Sequence, residues 1–454
     1  MKKRPFVLLT LLAISTALLA PACGGSDEGE EGDTPQQDAD GAGGGEETET
    51  DGGTVSDPDG GIGGNGEPTT DSSGGEVSIN VTVTQAAVPT VAVVQWSTDL
   101  DPMDSAVVEY GSDTEYGSEV EVDLSAKNHR TLVLGLKGSG KTYHLRVAVA
   151  SGGETYHSDD QTFTTGDLPN ELPELQVTWN DPLKDRLEKG FTLTTTLLSG
   201  SHAVIIDADG DYVWWYRLTD FKTGTGNLTG GGQMVFDWEG ESIYILSANV
   251  SFEPIGAILR VSVDGESTTL YDAESLGRPF YAHHSMTAVP GGGVAFLEYD
   301  PDTACEVIRH LDEEGNITDL YAVNQDIEFP VVPPDLRCHA NYLDYVQSAD
   351  AFVISVLGFD TVLLVKRDKT LLWAMGADDY ETVPSNPDWD FGGQDESFES
   401  QHGLQAWNQG KSLLLFNNGG GDVIGTKGQT AVIWEYTLDE GFTSAEGVEY
   451  YRKE

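Results

Sequence analysis

The stretch Ser400-Gln401-His402-Gly403-Leu404 is followed by the apolar run Leu413-Leu414-Leu415-Phe416 and by Asn417-Asn418-Gly419-Gly420. Asn and Gly together favour a tight turn, because both residues tolerate a left-handed backbone. A histidine therefore opens a short strand, the strand passes through a core, and an Asn/Gly turn ends it. This order of residues is typical of one strand in a repeated β-structure.

The same order occurs twice upstream. His283 and His284 precede the apolar run 294–297, and His339 precedes the run 352–355. Three strands led by histidines, about one structural repeat apart, predict that these side chains converge on one point from successive repeats.

A second pattern gives the period of the repeat. An apolar strand leads to a polar turn with Asp and Gly, and the next strand ends in an aromatic residue. The turns lie at positions 210, 265, 315 and 369, which are 50 to 55 residues apart, and a fifth lies at 441. A period of this size without a helical stretch indicates a β-propeller or a β-solenoid.

The blade length favours an all-β fold with a β-propeller of about five to six blades. In a propeller the innermost strands line a central channel, so the residues that lead them meet near the axis. The longer interval before position 441 contains the acidic insertion 378–399, which we expect to form a rim over one face.

Composition limits the partners. The 454 residues include 54 Gly and carry a net charge of −52. Nucleic acid is excluded as a partner, because a phosphate backbone is bound by clustered Lys and Arg.

The predicted segments are a signal peptide (1–22), a tether (23–76), a β-sandwich (77–166), a linker (167–182) and the propeller (183–454).

The amino terminus reads as an export signal, with three basic residues before an apolar stretch too short for a comfortable membrane span. An A-x-A-like cleavage site at 20–22 competes with a lipobox-like sequence that ends at Cys23. The Gly-rich acidic tether contains no Lys or Arg and is predicted to be disordered. A tether directly after a cysteine favours a lipoprotein anchored through Cys23 to the outer membrane, on its periplasmic or cell-surface face.

Cys305 and Cys338 are the two other cysteines. In an exported protein two thiols most often pair, which predicts a disulfide, and a reactive Cys338 beside His339 is the alternative. Two cysteines are too few for a Cys-rich zinc cage.

The segment 77–166 alternates with period two and has short strands at regular spacing, which predicts the small β-sandwich. Trp96 in an early strand, and Leu134-Gly135-Leu136 leading to 142–147, resemble a fibronectin type III module. Tyr143 would then be its tyrosine corner.

Two motifs in the chain point to ligands that we do not predict. The segment 135–142 matches G-x-x-x-x-G-K-[ST], but alternating apolar residues follow it where a nucleotide site needs a helix. Gly138, Ser139 and Gly140 are therefore predicted to form a hairpin turn. The acidic segment 207–211 lacks the twelfth-position Glu of a calcium loop, and an Asp-Gly hairpin explains it.

Residues from about 190 to 454 resemble the bacterial arylsulfate sulfotransferases, exported propeller enzymes that move sulfate between phenols without a nucleotide donor. The matching features, in chain order, are His283-His284, Cys338-His339-Ala340-Asn341, Leu371-Leu372-Trp373-Ala374-Met375-Gly376, Gln401-His402 and Leu415-Phe416-Asn417-Asn418-Gly419.

The resemblance implies that His402 is the nucleophile and becomes transiently sulfated. It also implies that His339, Asn341 and either His283 or His284 surround the sulfuryl group. The expected small-molecule partners are aryl sulfates and phenols. No cofactor or metal is expected. The sequence does not decide whether the protein forms a homodimer. The additional candidates for substrate binding are Gln401, Asn418 and Arg337.

The residue chemistry agrees, since an imidazole with a pKa of about 6.5 is an uncharged nucleophile near neutrality. A divalent metal on the histidines is the alternative, but no H-x-x-E pattern accompanies them.

Two departures from the family stand out. Leu357 occupies the place of a family arginine, for which Arg337 or Arg278 could substitute. Only about five repeats are found where the family has six, so either a blade is missing or residues 183–200 help to close the ring. A binding propeller that has lost the reaction is therefore the second functional hypothesis.

Overall fold

We analysed the protein as a computed structural model. The residues that the structure describes are 77–125, 129–177, 190–196, 201–223, 226–228, 232–247, 253–325, 338–376, 400–407, 412–417, 431–438 and 445–453. Cys23, Arg337, Asn418 and the insertion 378–399 lie outside the described residues, as do the signal and tether, so those expectations stay predictions.

The first folded unit is a β-sandwich. Its strands are β1 (Ile79–Gln85), β2 (Ala92–Thr98), β3 (Ser105–Gly111), β4 (Ser118–Glu121), β5 (His129–Val133), β6 (Thr142–Ser151), β7 (Glu154–His157) and β8 (Gln161–Thr164). One sheet has the order β1-β2-β5 and the other β4-β3-β6-β7, with β8 also paired to β6. Alternate residues of β2 and β6, including Val94, Trp96, Leu145 and Val147, are buried between the sheets.

The nucleotide-like motif lies in this sandwich as a turn and a strand. The three residues 138–140 form a turn, and strand β6 follows immediately. The hydroxyl of Tyr143 accepts a hydrogen bond from the backbone N–H of Lys137 at 2.9 Å. This contact is the one expected of a tyrosine corner. The fibronectin type III assignment itself stays a prediction.

The rest of the described chain forms five antiparallel sheets and a short ribbon. The strands are β9 (Phe191–Thr195), β10 (His202–Asp207), β11 (Tyr212–Arg217), β12 (Lys222–Thr223), β13 (Gly226–Asn227), β14 (Met234–Phe236), β15 (Ser242–Leu246), β16 (Ile258–Ser262), β17 (Thr268–Tyr271), β18 (Ala282–Ala288), β19 (Val294–Asp300), β20 (Cys305–Leu311), β21 (Ile317–Ala322), β22 (Ala340–Val346), β23 (Ala351–Val356), β24 (Thr361–Lys366), β25 (Leu371–Gly376), β26 (His402–Trp407), β27 (Ser412–Asn417), β28 (Ala431–Leu438) and β29 (Ala445–Lys453). The described helices are α1 (Ala273–Leu276) and the 3-10 turn Leu357–Phe359.

Four of these sheets have four strands each, in the orders β14 to β17, β18 to β21, β22 to β25 and β26 to β29. Their first strands lie next to one another in succession, from β14 through β18 and β22 to β26. Sheets that radiate from a row of first strands are the blades of a propeller. The predicted all-β fold, a propeller preceded by a small β-sandwich, is confirmed.

The predicted turns join the third and fourth strands of each blade. Gly265, Gly315 and Lys369 have φ of 77°, 90° and 72°, and each backbone N–H donates to the carbonyl three residues earlier. A positive φ favours Gly, so the Asp-Gly spacing marks these turns in the sequence. The fifth turn, at position 441, lies outside the described residues.

The first blade differs from the others. Gly210 joins β10 to β11, so these two strands correspond to the third and fourth strands of the other blades. Strand β9 pairs with β10 and lies beside β14, as a second strand does. Among the described strands, none occupies the innermost position of this blade. Residues 191–195, within the segment predicted to help close the ring, supply its second strand.

The sandwich packs against the outer edge of this first blade. Strand β11 pairs only with β10 among the described strands, and its outward carbonyls accept hydrogen bonds from the sandwich. Gly138 N–H donates to Tyr212 O at 3.0 Å, and the Thr90 hydroxyl donates to Val213 O at 2.7 Å. An edge strand covered in this way is protected from pairing with another chain.

A cation from the sandwich occupies the acidic turn between β10 and β11. The Lys137 ammonium lies 3.1 Å from Asp207, 3.0 Å from Asp209 and 2.6 Å from Asp211. Asp207 also accepts from the backbone N–H groups of Asp209 and Asp211, as in a hairpin turn. Lys137, within the nucleotide-like motif, thus offsets part of the negative charge of the three carboxylates that resemble a calcium loop.

Candidate functional site

Histidines from three consecutive blades meet at one end of the inner strands. His283 and His284 lie in β18, His339 directly precedes β22, and His402 opens β26. The His284 ring centroid lies 5.2 Å from that of His339 and 6.5 Å from that of His402, and the His339 and His402 rings are 6.3 Å apart. The strands that carry them are neighbours, so residues 118 positions apart share one site.

The backbone at this site has unusual conformations. His284, His339 and Ser400 have φ of 54°, 52° and 52°, in the left-handed region that non-glycine residues rarely adopt. The pairing register also shifts at the start of β18, β22 and β26. Left-handed residues and β-bulges redirect side chains and cluster at functional sites. All three histidine-bearing strands share this feature, which supports a common function.

His283 and His284 have different positions. The His284 ring is half-buried and faces the His339 and His402 rings, whereas the His283 side chain is fully buried behind it. Their Nδ1 atoms are 2.5 Å apart and share a hydrogen bond. His284 is therefore the member of the pair that lines the site, and His283 supports it.

Glu306 in β20 lies behind His283. Its Oε1 atom is 3.6 Å from His283 Nε2, and both side chains have no exposed surface. Its Oε2 atom accepts a 2.7 Å hydrogen bond from the backbone N–H of Ala340. The carboxylate thus contacts both the histidine pair and the strand that follows His339.

Burial keeps these imidazoles uncharged near neutral pH. Burial, followed by the His339 ring, lowers the pKa of His283 to about 3. Burial, with the other three rings, lowers the pKa of His284 well below its usual value, and burial also lowers the pKa of His402. A cation is disfavoured where water is excluded. Each of these three rings therefore keeps a lone pair.

The tautomer of His402 follows from its neighbour. His402 Nδ1 lies 3.2 Å from the carbonyl oxygen of Ser400. A carbonyl only accepts hydrogen bonds, so Nδ1 carries the proton and Nε2 carries the lone pair. The backbone N–H of Ser400 in turn donates to Asp360, which fixes the segment before His402.

Gln401 and Asn341 form hydrogen bonds next to His402. Gln401 is fully buried, and its Nε2 donates to the carbonyls of Val356 and Thr361 at 3.2 and 3.1 Å. The Asn341 side-chain amide donates to the Gln401 carbonyl at 2.7 Å. Both contacts hold the backbone that precedes His402. The expected contacts of these two residues with a substrate stay predictions.

Polar contacts also tie the inner strands together. Ser285 donates to the Gln233 side chain at 2.8 Å and accepts from the Leu343 N–H at 3.0 Å. Asp344 accepts from the Ala406 N–H at 3.3 Å, and burial raises the pKa of its carboxyl to about 6. These bonds link four consecutive blades and hold the histidine-bearing strands in register.

Cys305 and Cys338 form a disulfide with a Cα–Cα distance of 4.7 Å. The bond joins the residue before Glu306 to the residue before His339. Hydrogen bonds from Cys338 N–H to Ala304 O and from Ala340 N–H to Glu306 flank it. The disulfide therefore secures the backbone on both sides of the site.

Leu357, which stands where the resembled arylsulfate sulfotransferases have an arginine, lies next to His339. Leu357 N–H donates to the His339 carbonyl at 3.1 Å, and the Leu357 side chain is half-buried. Arg278, a suggested substitute, forms a two-point ion pair with Glu298 at 2.6 and 3.0 Å. Its guanidinium is thus engaged within its own blade.

Metal ligation was a second interpretation of the histidines. In the described part of the chain, one cluster of His, Cys, Asp or Glu has ligand atoms within 4.8 Å of one another, namely Asp207, Asp209 and Asp211. Lys137 already contacts all three. The four histidines do not form such a cluster. A cleft of about 210 Å³ lined by Arg309, Asp319 and Lys369 contains none of them.

Sequence reasoning missed Glu306, Asp360 and Gln233. Each acts through a contact between strands or blades, which local periodicity does not encode. The signal that was present for Glu306 is a carboxylate in an otherwise apolar strand start, directly after a half-cystine. A charged residue that is fully buried requires a specific partner.

No family model and no curated protein matches the chain. Several solved structures are similar to it at low identity. A protein of unknown function from Bacteroides caccae is 12% identical, with 69% of this chain and 97% of that chain covered and a TM-score of 0.35. An auxiliary nutrient binding protein from Bacteroides thetaiotaomicron is 10% identical, with 82% and 85% covered and a TM-score of 0.33.

A luciferin-regenerating enzyme is 8% identical, with 68% of this chain and 86% of that chain covered and a TM-score of 0.33. Identities and TM-scores this low say nothing about what this chain binds or converts. Within the described residues, no helix has the length and apolar character needed to cross a bilayer.

Proposed function

We propose that the propeller transfers a sulfuryl group from an aryl sulfate to a phenol through a covalent intermediate on His402. The observation that carries the proposal is the meeting of His284, His339 and His402, with ring centroids 5.2 to 6.5 Å apart. Covalent catalysis by an uncharged nucleophile divides one difficult transfer into two easier ones.

In the first step the His402 Nε2 lone pair attacks sulfur. The N–S bond forms, the bond from sulfur to the aryl oxygen breaks, and the phenolate leaves. The Nδ1 proton stays on the ring, held by the Ser400 carbonyl, so the sulfated imidazole is cationic and a good leaving group. The His339 ring, whose centroid lies 6.3 Å from that of His402, donates an N–H to the departing phenolate.

In the second step the oxygen of the acceptor phenol attacks sulfur and the N–S bond breaks. The phenolic proton passes to the unprotonated nitrogen of His284, which later returns it to the first phenolate or to water. A general base within reach of the acceptor contributes typically about 10²- to 10⁴-fold. His402 regains its original state, so the cycle needs no nucleotide.

The test uses 4-nitrophenyl sulfate as donor and phenol as acceptor. Release of yellow 4-nitrophenolate is expected from the wild-type protein and not from His402→Ala. Mass spectrometry of the quenched wild-type protein should find one added sulfuryl group on the peptide that contains His402. His310→Ala is the matched control, because His310 lies at the far end of β20 from Glu306, where it bonds to the Gly292 carbonyl. Folded wild-type protein without turnover would refute the enzymatic function.

A second candidate is a propeller that binds an aromatic anion without converting it. The observation in its favour is Leu357 next to the His339 backbone, where the resembled family has an arginine. Saturable binding of 4-nitrophenyl sulfate by calorimetry, without release of nitrophenolate, would establish this candidate. The His402→Ala variant would then weaken binding.

A further inference from the structure

Two fully buried side chains, Glu306 and His283, and the half-buried His284 form a line that ends at the candidate site. Glu306 Oε1 is 3.6 Å from His283 Nε2, and His283 Nδ1 is 2.5 Å from His284 Nδ1. The His284 ring then lies 5.2 Å from the His339 ring by centroid. Glu306 and His283 have no exposed side-chain surface. Water therefore does not compete for these contacts.

The hydrogen-bonding inventory of these groups determines where the protons lie. At 3.6 Å the contact is longer than a hydrogen bond, but a carboxylate attracts an N–H and repels a lone pair, which favours the proton on His283 Nε2. An uncharged imidazole has one N–H, and His283 Nδ1 is then an acceptor. The short contact between the two Nδ1 atoms requires one donor, which must be His284 Nδ1. His284 Nε2 is left with the lone pair.

We infer that Glu306 is a positioning residue that fixes the tautomers of His283 and His284, so that His284 presents an unprotonated Nε2 to the site. The catalytic part of this inference rests on the proposed function, since the lone pair is the base that accepts the phenolic proton. The tautomers themselves do not depend on any reaction.

The surrounding backbone fixes the orientation of the Glu306 carboxylate toward His283. Its second oxygen accepts from the Ala340 N–H at 2.7 Å, and Cys305, the preceding residue, is bonded to Cys338. A carboxylate anchored at two points keeps its orientation toward His283. An orienting group behind an imidazole is a known way to set which nitrogen carries the proton.

The direct test is the ¹⁵N NMR spectrum of the full chain labelled at histidine, with His283→Gln and His284→Gln used for assignment. We expect the proton on Nε2 of His283 and on Nδ1 of His284 in the wild-type protein. In Glu306→Gln the carboxylate is replaced by an amide that can also donate, so at least one of the two rings should change its protonated nitrogen. A wild-type spectrum with the His284 proton on Nε2 would overturn the inference, whether or not the variant folds.

Glu298→Gln is the matched control. Glu298 is also buried in the same blade, but its partners are Arg278 and Arg309. Both variants should lower the thermal midpoint, because each weakens the contacts of the groups that face the buried carboxylate. Only Glu306→Gln should alter the His283 and His284 tautomers. A change of tautomer in Glu298→Gln, or its absence in a folded Glu306→Gln, would mean that Glu306 is merely structural.

The kinetic arm separates this inference from the proposed function. If the wild-type protein transfers sulfuryl groups, Glu306→Gln should lose about 10²-fold or more in kcat with KM changed less than threefold. Unchanged kcat would overturn the catalytic part. If no transfer occurs but the tautomers are as expected, the proposed function fails and the positioning role of Glu306 stands.

Discussion

His283, His284 and His402 are buried without charge, so acid should destabilise the folded protein. Their pKa values are lower in the folded state than the usual value of about 6.5, so the unfolded chain binds more protons. The contribution of these uncharged histidines to the free energy of unfolding is fully present above pH 6.5 and is lost as the pH falls below that value. Asp344, with its pKa raised to about 6, opposes this loss between pH 6 and 4.

We predict that the free energy of unfolding falls by about 1.4 kcal/mol per pH unit or more near pH 5, since His283 and His284 gain protons on unfolding, His402 adds to this gain, and Asp344 loses one proton. Urea unfolding at pH 7, 6 and 5 measures this slope. His283→Gln should reduce the slope by about 1.4 kcal/mol per pH unit, the value for one proton. Equal stability at pH 7 and pH 5 would contradict the burial of neutral imidazoles.

Substitution of Leu357 tests the role of the arginine that the resembled family has at this position. Its backbone contacts the His339 carbonyl, so Leu357→Arg should introduce a guanidinium near the transferred group. We expect an increase in kcat/KM for 4-nitrophenyl sulfate of about tenfold or more, because charge-assisted paired hydrogen bonds stabilise a sulfuryl transition state. Leu357→Met is the uncharged control and Leu357→Lys tests a point charge. No gain of Arg over Met would argue against this site for the sulfate.

At the scale of elements, the turn between β10 and β11 depends on a lysine from the sandwich. The Lys137 ammonium contacts Asp207, Asp209 and Asp211, and hydrogen bonds with them raise its pKa. Lys137→Gln leaves three carboxylates close together. Since Lys137 is 36% exposed, we expect a loss of only about 1 kcal/mol at low salt.

Thermal unfolding at low and high salt tests this contact. The difference between wild type and Lys137→Gln should shrink as salt rises, because screening weakens exposed ion pairs. Lys141→Gln, in the same motif but outside the acidic turn, should have a smaller effect. If the two variants have the same thermal midpoint at every salt concentration, the three contacts with Lys137 contribute nothing to the stability of the protein.

The elements show what the sequence could predict. Turns with a positive φ favour Gly, so the turns at Asp209-Gly210, Asp264-Gly265 and Gly315-Asn316 could be placed from their spacing. The convergence of His284, His339 and His402 followed from their matching places in successive repeats. The apolar runs that were expected to continue the strands opened by these histidines, 294–297, 352–355 and 413–416, are instead the second strands of their blades. Glu306 could not be found in this way, because its contact with His283 joins two strands that are not neighbours in the chain. The docking of Lys137 likewise depends on partners about 70 residues away.

At the scale of the whole molecule, the sandwich and the first two blades share one apolar core. Val88 and Val91 of the sandwich lie in the same buried cluster as Val213, Trp214 and Val261 of the propeller. The Arg130 guanidinium also contacts Asp264 at 2.7 Å. These contacts hold the sandwich against the propeller.

We therefore predict that the sandwich and the propeller unfold together. Differential scanning calorimetry should show one cooperative transition, because neither part keeps its apolar surface buried without the other. Val88→Asp should lower the midpoint of that single transition, whereas the surface control Glu154→Gln should not. Two separate transitions, with only one affected by Val88→Asp, would show that the units are energetically independent.

The left-handed backbone at His284, His339 and Ser400 makes the candidate site the part of the propeller most sensitive to heat and denaturant. Such conformations cost of order 1 kcal/mol or more each and persist only while neighbouring blades enforce them. We expect mild heating or dilute denaturant to relax these three positions before the sheets separate. The histidine geometry of the candidate site would then be lost while the β-sheets are still intact. A native circular-dichroism spectrum would therefore not show that the candidate site is intact.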